Sequence, residues 1–273
     1  MKRFKIPLDP PLVKGEFAKS PLERGPGVCF LMTNNIVRIG IPIVDKTNLY
    51  PMVKGNHTEI SPIKTIAKDG VEIWNISFST LDCTYIETVR HIFSEGPFPL
   101  GVFSRRKAYD LYRAIVVQLN VNDGEEIKRS ALDPYLAKMN KGDALIVNAN
   151  NYTDRWLEKC NGVIDIDDYN LNSPYFSTEA MRGIIDAGTS ILAGNFPSFS
   201  NPKTKDGFGI DMIAEFYKDD NNMILAPLVD LYKIEDTEVI LQINPVMIVN
   251  CCGIPCCPNV YQGELRSAFM NLL

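Results

Sequence analysis

Ser79-Thr80-Leu81-Asp82-Cys83-Thr84-Tyr85-Ile86-Glu87-Thr88-Val89-Arg90-His91 overlaps the end of Val71 to Thr80, where apolar and polar side chains alternate with the period of a half-buried strand. If the backbone stays extended through residues 85–91, Tyr85, Glu87, Val89 and His91 share one face, because successive side chains point to opposite sides. A phenol, a carboxylate and an imidazole then stand in one row. A carboxylate orients an imidazole and keeps its titration near neutral pH, which is the arrangement of an acid/base pair. The other reading of His91 is a histidine bonded to backbone in a half-buried pocket.

Working outward, strands and helices alternate. Ile36 to Val44 reads as a strand, and Ala114 to Leu119 and Asp143 to Val147 are short apolar runs of the kind found in buried strands. Between them, Ser130 to Met139 reads as a helix with Ser130 as N-cap and Leu132, Leu136 and Met139 at helical spacing. Ser177 to Ala187 is the clearest helix, capped by Ser177 or Thr178, with Glu179 in its first turn and Gly188 as its stop, and it leads into the apolar run Ser190 to Ala193. Ile224 to Leu231, Glu238 to Ile243 and Val246 to Val249 follow as β-rich segments. Strands interspersed with helices imply a mixed α/β domain with a substantial sheet.

The chain has 273 residues, 28 Lys+Arg against 33 Asp+Glu and a formal net charge of −5. This acidic balance, without a basic stretch interleaved with aromatics, argues against nucleic acid as a partner. The apolar runs fall well short of the roughly 20 residues that span a bilayer, so no membrane partner is expected. Pro7, Asp9, Pro10 and Pro11 interrupt the place where a signal peptide needs an apolar core. Seven cysteines, an odd number in a long chain, read as thiols in the cytoplasm. Residues 1–31 carry five prolines and repeat Pro11-Leu12-Val13-Lys14-Gly15 as Pro21-Leu22-Glu23-Arg24-Gly25. They read as an extended arm that wraps a neighbouring subunit, as a disordered leader, or as sequence upstream of a true start at Met32. Residues 32–273 read as one α/β domain.

Residues 81–91 resemble the signature H-x-G-T-H-x-D-x-P-x-H of the cyclase family, which includes bacterial kynurenine formamidase and isatin hydrolase. The resemblance continues through Gly142-Asp143-Ala144-Leu145-Ile146-Val147 and Trp156, through Ser177-Thr178-Glu179-Ala180 to Gly194-Asn195-Phe196-Pro197-Ser198, and to Gly253-Ile254-Pro255, in the family's order over roughly residues 36–265. It implies a swivelling β/β/α fold, a homo-oligomer, and a small amide or cyclic amide (lactam) as ligand.

In members resembling kynurenine formamidase, two histidines and the aspartate of the signature, with a later histidine and glutamate, hold zinc or manganese, and the last signature histidine is the acid/base. Such a metal lowers the pKa of its water and polarises the carbonyl. Residue by residue, this chain has Leu81, Tyr85 and Glu87 at the first three positions, His91 at the last, and positions near Ala214 and at Ala226 for the later pair. With two histidines in all, and His57 far from the motif, no His-rich site can be rebuilt. The expectation is therefore metal-independent chemistry by His91, Glu87 and Tyr85, without a cofactor, or else a catalytically silent binding or scaffold paralogue. A site from Asp82, Glu87 and His91 is disfavoured because alternation turns Asp82 to the other face. Cys251, Cys252, Cys256 and Cys257 offer a weak alternative metal site, but paired thiols in zinc and iron–sulfur motifs are separated by two residues, so packing as small apolar core residues is the favoured reading. Trp74, Phe93, Asn195 and Phe196 are the expected substrate contacts, with Asn148, Asn150 and Asn151 bordering the pocket.

Overall fold

Parallel strands at the centre of a sheet must be apolar on both faces, and the segments around residues 114–119 and 144–149 meet that demand. Ile115, Val117, Leu145 and Val147 enter one hydrophobic core, while Ala114, Val116, Ala144 and Ile146 enter a second on the opposite face. The computed structural model describes residues 35–51, 57–204 and 210–273, without the side chains of Ile210 and Asp211. The arm expected over residues 1–31 lies outside the described residues. In chain order the strands are β1 (Ile36–Arg38), β2 (Glu59–Lys64), β3 (Ile73–Ser77), β4 (Tyr85–Thr88), β5 (Leu111–Leu119), β6 (Glu126–Ile127), β7 (Ala144–Ala149), β8 (Tyr175–Phe176), β9 (Ile191–Gly194), β10 (Met223–Ala226), β11 (Glu238–Gln242), β12 (Gly253–Pro255) and β13 (Asn259–Tyr261). The helices are α1 (Ile66–Asp69), α2 (Pro99–Ser104), α3 (Arg129–Leu136), α4 (Tyr152–Lys159), α5 (Asp167–Leu171), α6 (Thr178–Asp186), α7 (Ile210–Phe216) and α8 (Gly263–Met270).

A mixed nine-stranded sheet runs in the order β1-β13-β11-β5-β7-β9-β10-β4-β12. Its middle, β5 to β10, is parallel, and both margins are antiparallel. α3 and α6 pack together on the face of the first core, with Leu132, Leu136, Ala180 and Ile184 buried there. Ser177 caps α6 by accepting a 3.0 Å bond from the amide of Ala180, and Gly188 ends the turn at φ +73°, a conformation that favours glycine.

Several expectations are corrected. Ser130 is not a cap: α3 starts one residue earlier, with Lys128 at the cap position. Only Ile36–Arg38 of the first expected strand joins the ladder, followed by an isolated bridge from Gly40 to Leu228. The segment around Val71 to Thr80 is not half-buried, since β3 pairs only with β2 in a separate ribbon and all five of its residues are exposed. Val246 to Val249 forms no strand; Asn244 and Asn250, both at positive φ, bracket it, and Val246, Met247 and Val249 face outward.

Candidate functional site

β4 lies between β10 and β12, so its side chains meet two antiparallel neighbours. Glu87 stands opposite Ile224 on one side and Gly253 on the other, and Tyr85 opposite Ala226 and Pro255. The strand ends at Thr88, and Val89–His91 turns as a 3-10 helix, which corrects the extended row expected through residue 91. Gly96 permits this turn: a Cβ there would come within 2.4 Å of Val89 and 2.9 Å of the Arg90 nitrogen. Glu87 and His91 meet all the same, four residues apart, with Glu87 Oε2 3.7 Å from His91 Nδ1. The carboxylate is buried and the imidazole side chain is 47% exposed, so the pair joins the interior to solvent.

Behind the pair lies a network of phenols. Tyr217 donates a 3.0 Å bond to Glu87 Oε1, Tyr50 donates at 2.8 Å to the Pro197 carbonyl, and the Tyr85 hydroxyl lies 3.3 Å from that of Tyr50. Because the Tyr50 proton is committed to Pro197, Tyr85 is the donor of that last bond. Burial holds Tyr85 and Tyr217 well above the usual phenol range. Burial also pushes Glu87 up, opposed by His91 and by the bond from Tyr217. Tyr217 thus fixes one oxygen of the carboxyl and leaves the second to the imidazole.

Sequence reasoning missed two members. Tyr217 follows directly on α7, and Cys252 precedes β12 with its Sγ 3.8 Å from His91 Nδ1. The only sequence signal for Cys252 was its place beside Gly253-Ile254-Pro255 within a cluster read for metal or packing. The cysteines do not act alike: Cys256 and Cys83 are buried, Cys257 is exposed, and Cys252 is half-buried. Burial pushes the Cys83 thiol up to about 12.

The expected substrate contacts are not brought together. Phe93 is exposed two residues beyond His91, whereas Trp74 is exposed on the β2–β3 ribbon. Phe196 is fully buried in an edge-to-face cluster with Phe176 and Phe199. Asn195 is fully buried too: its Oδ1 accepts from the Ala149 amide at 2.8 Å and its Nδ2 donates to Asn148 Oδ1 at 2.6 Å. Asn148 donates in turn to Gln118 and Asn151, so this amide network ties the ends of β5, β7 and β9 together. Asp82 is not on the opposite face of the strand but in the turn before it, buried, with Oδ2 accepting from the Ser79 amide at 3.2 Å. Cavities of about 380 and 390 Å³ lie at Arg38, Asp230 and Lys233 and between α6 and α7, and neither is lined by His91.

The positions that the cyclase resemblance assigns to metal do not fit one. Leu81, Ala214 and Ala226 carry no donor, the Tyr85 hydroxyl is spent on Tyr50, and one Glu87 oxygen is spent on Tyr217. Glu87 and Cys252 both approach the same nitrogen of His91, and among the described residues no three His, Cys, Asp or Glu side chains are grouped to hold a metal ion.

The chain has the fold of the cyclase family, a mixed α/β fold. It is similar to isatin hydrolase A from Labrenzia aggregata at a TM-score of 0.65 and 15% identity, over 84% of this chain and 94% of the other. A cyclase superposes at 0.66 with 14% identity, over 84% and 89%, and a predicted metal-dependent hydrolase from Bacillus stearothermophilus at 0.62 with 13%, over 83% and 97%. At these identities the likeness is one of fold. No protein-family model matches the chain, and no curated protein matches it in sequence.

Proposed function

We propose that the protein acts on a small amide or cyclic amide by metal-independent acid/base chemistry at His91. The observation that supports this most directly is the pair of a buried, phenol-anchored carboxylate and a half-exposed imidazole. In this reading His91 takes a proton from the attacking nucleophile and returns it to the departing nitrogen, while Glu87 stabilises the charged form of the ring. The substrate enters from the exposed side of His91, where Phe93 offers an aromatic surface. Isatin hydrolase among the structures of like fold supports a cyclic amide as the substrate class. The swivelling β/β/α arrangement and a cytoplasmic location belong to the same reading; among the described residues no helix is long and apolar enough to cross a membrane.

The test is hydrolysis of isatin and of an N-formylated aniline, followed optically before and after exhaustive dialysis against a chelator. Turnover that survives chelation supports the reading. Turnover lost with the metal and restored by zinc would refute it.

A second reading, the silent binding or scaffold protein, is favoured by the interior filling of Tyr50, Tyr85 and Tyr217. It is also favoured by the ribbon and the short helix α1 between its strands, where Ile63, Ile66, Ile73, Trp74 and Ile76 are each at least 44% exposed. Such a concentration of exposed apolar side chains fits a partner surface, and we assign it to a second copy of this chain. Light scattering should give an oligomer at micromolar concentration that Ile73→Asp with Ile76→Asp converts to monomer. A wild-type chain already monomeric there would remove the assignment.

A further inference from the structure

We propose that Cys252 is the nucleophile of this site. The inference rests on the amide reading for its substrate class, and on independent geometry for its site. β12 pairs with β4 so that Gly253 lies opposite Glu87, and the Thr88 amide donates a 3.1 Å bond to the Cys252 carbonyl. That register sets Cys252 beside the turn carrying His91, with Sγ 3.8 Å from Nδ1, while Glu87 Oε2 is 3.7 Å from the same nitrogen. Thiol and carboxyl approach the same ring nitrogen, so Glu87 does not hold the neutral base; its part is to stabilise the imidazolium once Nδ1 has taken the thiol proton, which leaves a nucleophile, its base and a counter-charge for that base. The other thiols near β4 lack this setting: Cys256 faces the Thr84 carbonyl at 3.7 Å and Cys83 the Thr80 carbonyl at 3.9 Å.

The chemistry balances without an added reagent other than water. The Cys252 proton passes to His91 Nδ1 as sulfur bonds to the amide carbon. The imidazolium then faces the Glu87 carboxyl, and its proton goes to the nitrogen as the C–N bond breaks, leaving a thioester and a free amine. Water, giving a proton to His91, attacks the thioester carbon; the C–S bond breaks, the acid leaves, and His91 returns the proton to sulfur. For a cyclic amide the released amine stays tethered to the acyl group, so the ring opens. Burial, and after it the nearby Glu87, push the thiol up, so Cys252 holds its proton at rest and depends on the imidazole at the moment of attack.

The experiment uses p-nitrophenyl acetate as an acyl donor and reads the p-nitrophenolate burst, with peptide mass spectrometry to locate the acetyl group. The expected result is one acetyl per chain on Cys252, a burst slowed about tenfold or more in His91→Gln and abolished in Cys252→Ser, and an unchanged burst in Cys257→Ser, where the thiol is exposed. Wild-type acetylation that falls on other residues overturns the proposal whatever the folding of the variants, and so does acetylation of Cys252 that is equally fast in His91→Gln. Turnover of isatin and the N-formylated aniline separates the two claims. Amide hydrolysis undiminished in Cys252→Ser would remove the nucleophile and leave the amide reading. His91-dependent acetylation without any amide turnover would support the nucleophile and remove the amide reading.

Discussion

Replacing His91 by alanine is expected to lower amide turnover by roughly two to four orders of magnitude, the usual scale for a positioned acid/base. The fold should tolerate the change, because the imidazole is 47% exposed and its backbone sits in a turn held by other residues. The carboxyl beneath it keeps its 3.0 Å bond from Tyr217 at Oε1 and loses its imidazole neighbour at Oε2, and burial already favours its protonated form. A loss in kcat far larger than the accompanying fall in melting temperature is therefore the expected signature. Two alternatives make other predictions. If His91 were only a structural remnant, turnover of His91→Ala would equal that of the wild type. If metal were the agent, chelation would remove activity from both proteins alike. Steady-state kinetics of the two proteins with isatin, before and after chelation and with thermal melts run in parallel, checks all three outcomes.

What the sequence made legible was local chemistry. The cap of α6 was readable because a serine hydroxyl three residues before an amide is a short-range signal, and Gly188 because positive φ favours glycine. The parallel strands β5, β7 and β9 were readable as apolar runs, and the order of motifs anticipated the fold that the superpositions then showed. The site was legible only along one strand. Glu87 and His91 could be paired because four residues separate them, although through a turn and not along an extended row. Tyr217 and Cys252 lie 130 and 161 residues from the groups they touch, and only the pairing of β10 and β12 on either side of β4 brings them in. Hydropathy misled where it could not see neighbours. Phe196 and Asn195 looked like ligand contacts and are interior, while Val246 to Val249 looked like strand and is an exposed loop.

The largest effect on stability is expected from Arg113→Ala. Arg113 on β5 reaches sideways to both neighbouring strands, bonding Asp143 just before β7 and Glu238 at 2.7 Å on β11, and it also donates to the Lys138 carbonyl at 3.2 Å. The guanidinium is 14% exposed and the Asp143 carboxylate 8%. Removing one partner of a buried pair leaves the other charge without compensation, at a cost of about 3–5 kcal/mol. For a domain of this size that is a fall in Tm on the order of 10 °C. The two carboxylates respond to the same guanidinium in opposite directions. Glu238, more open to water, is drawn below the usual carboxylate range by its hydrogen bond to Arg113, whereas at Asp143 burial outweighs the guanidinium and pushes the carboxyl up. The sign of the pH dependence follows. In the wild type, the stability that Glu238 contributes is present above its unfolded value and fades as pH falls through its lowered folded value. In Arg113→Ala, acid relieves the stranded charge on Asp143 by protonating it. The gap between the two proteins should thus be widest near neutral pH and shrink through the carboxylate range, which urea unfolding from pH 7 to pH 3 measures directly. A gap independent of pH would mean that Arg113 stabilises the sheet by packing alone, and a double variant with Asp143→Ala would then recover none of the loss.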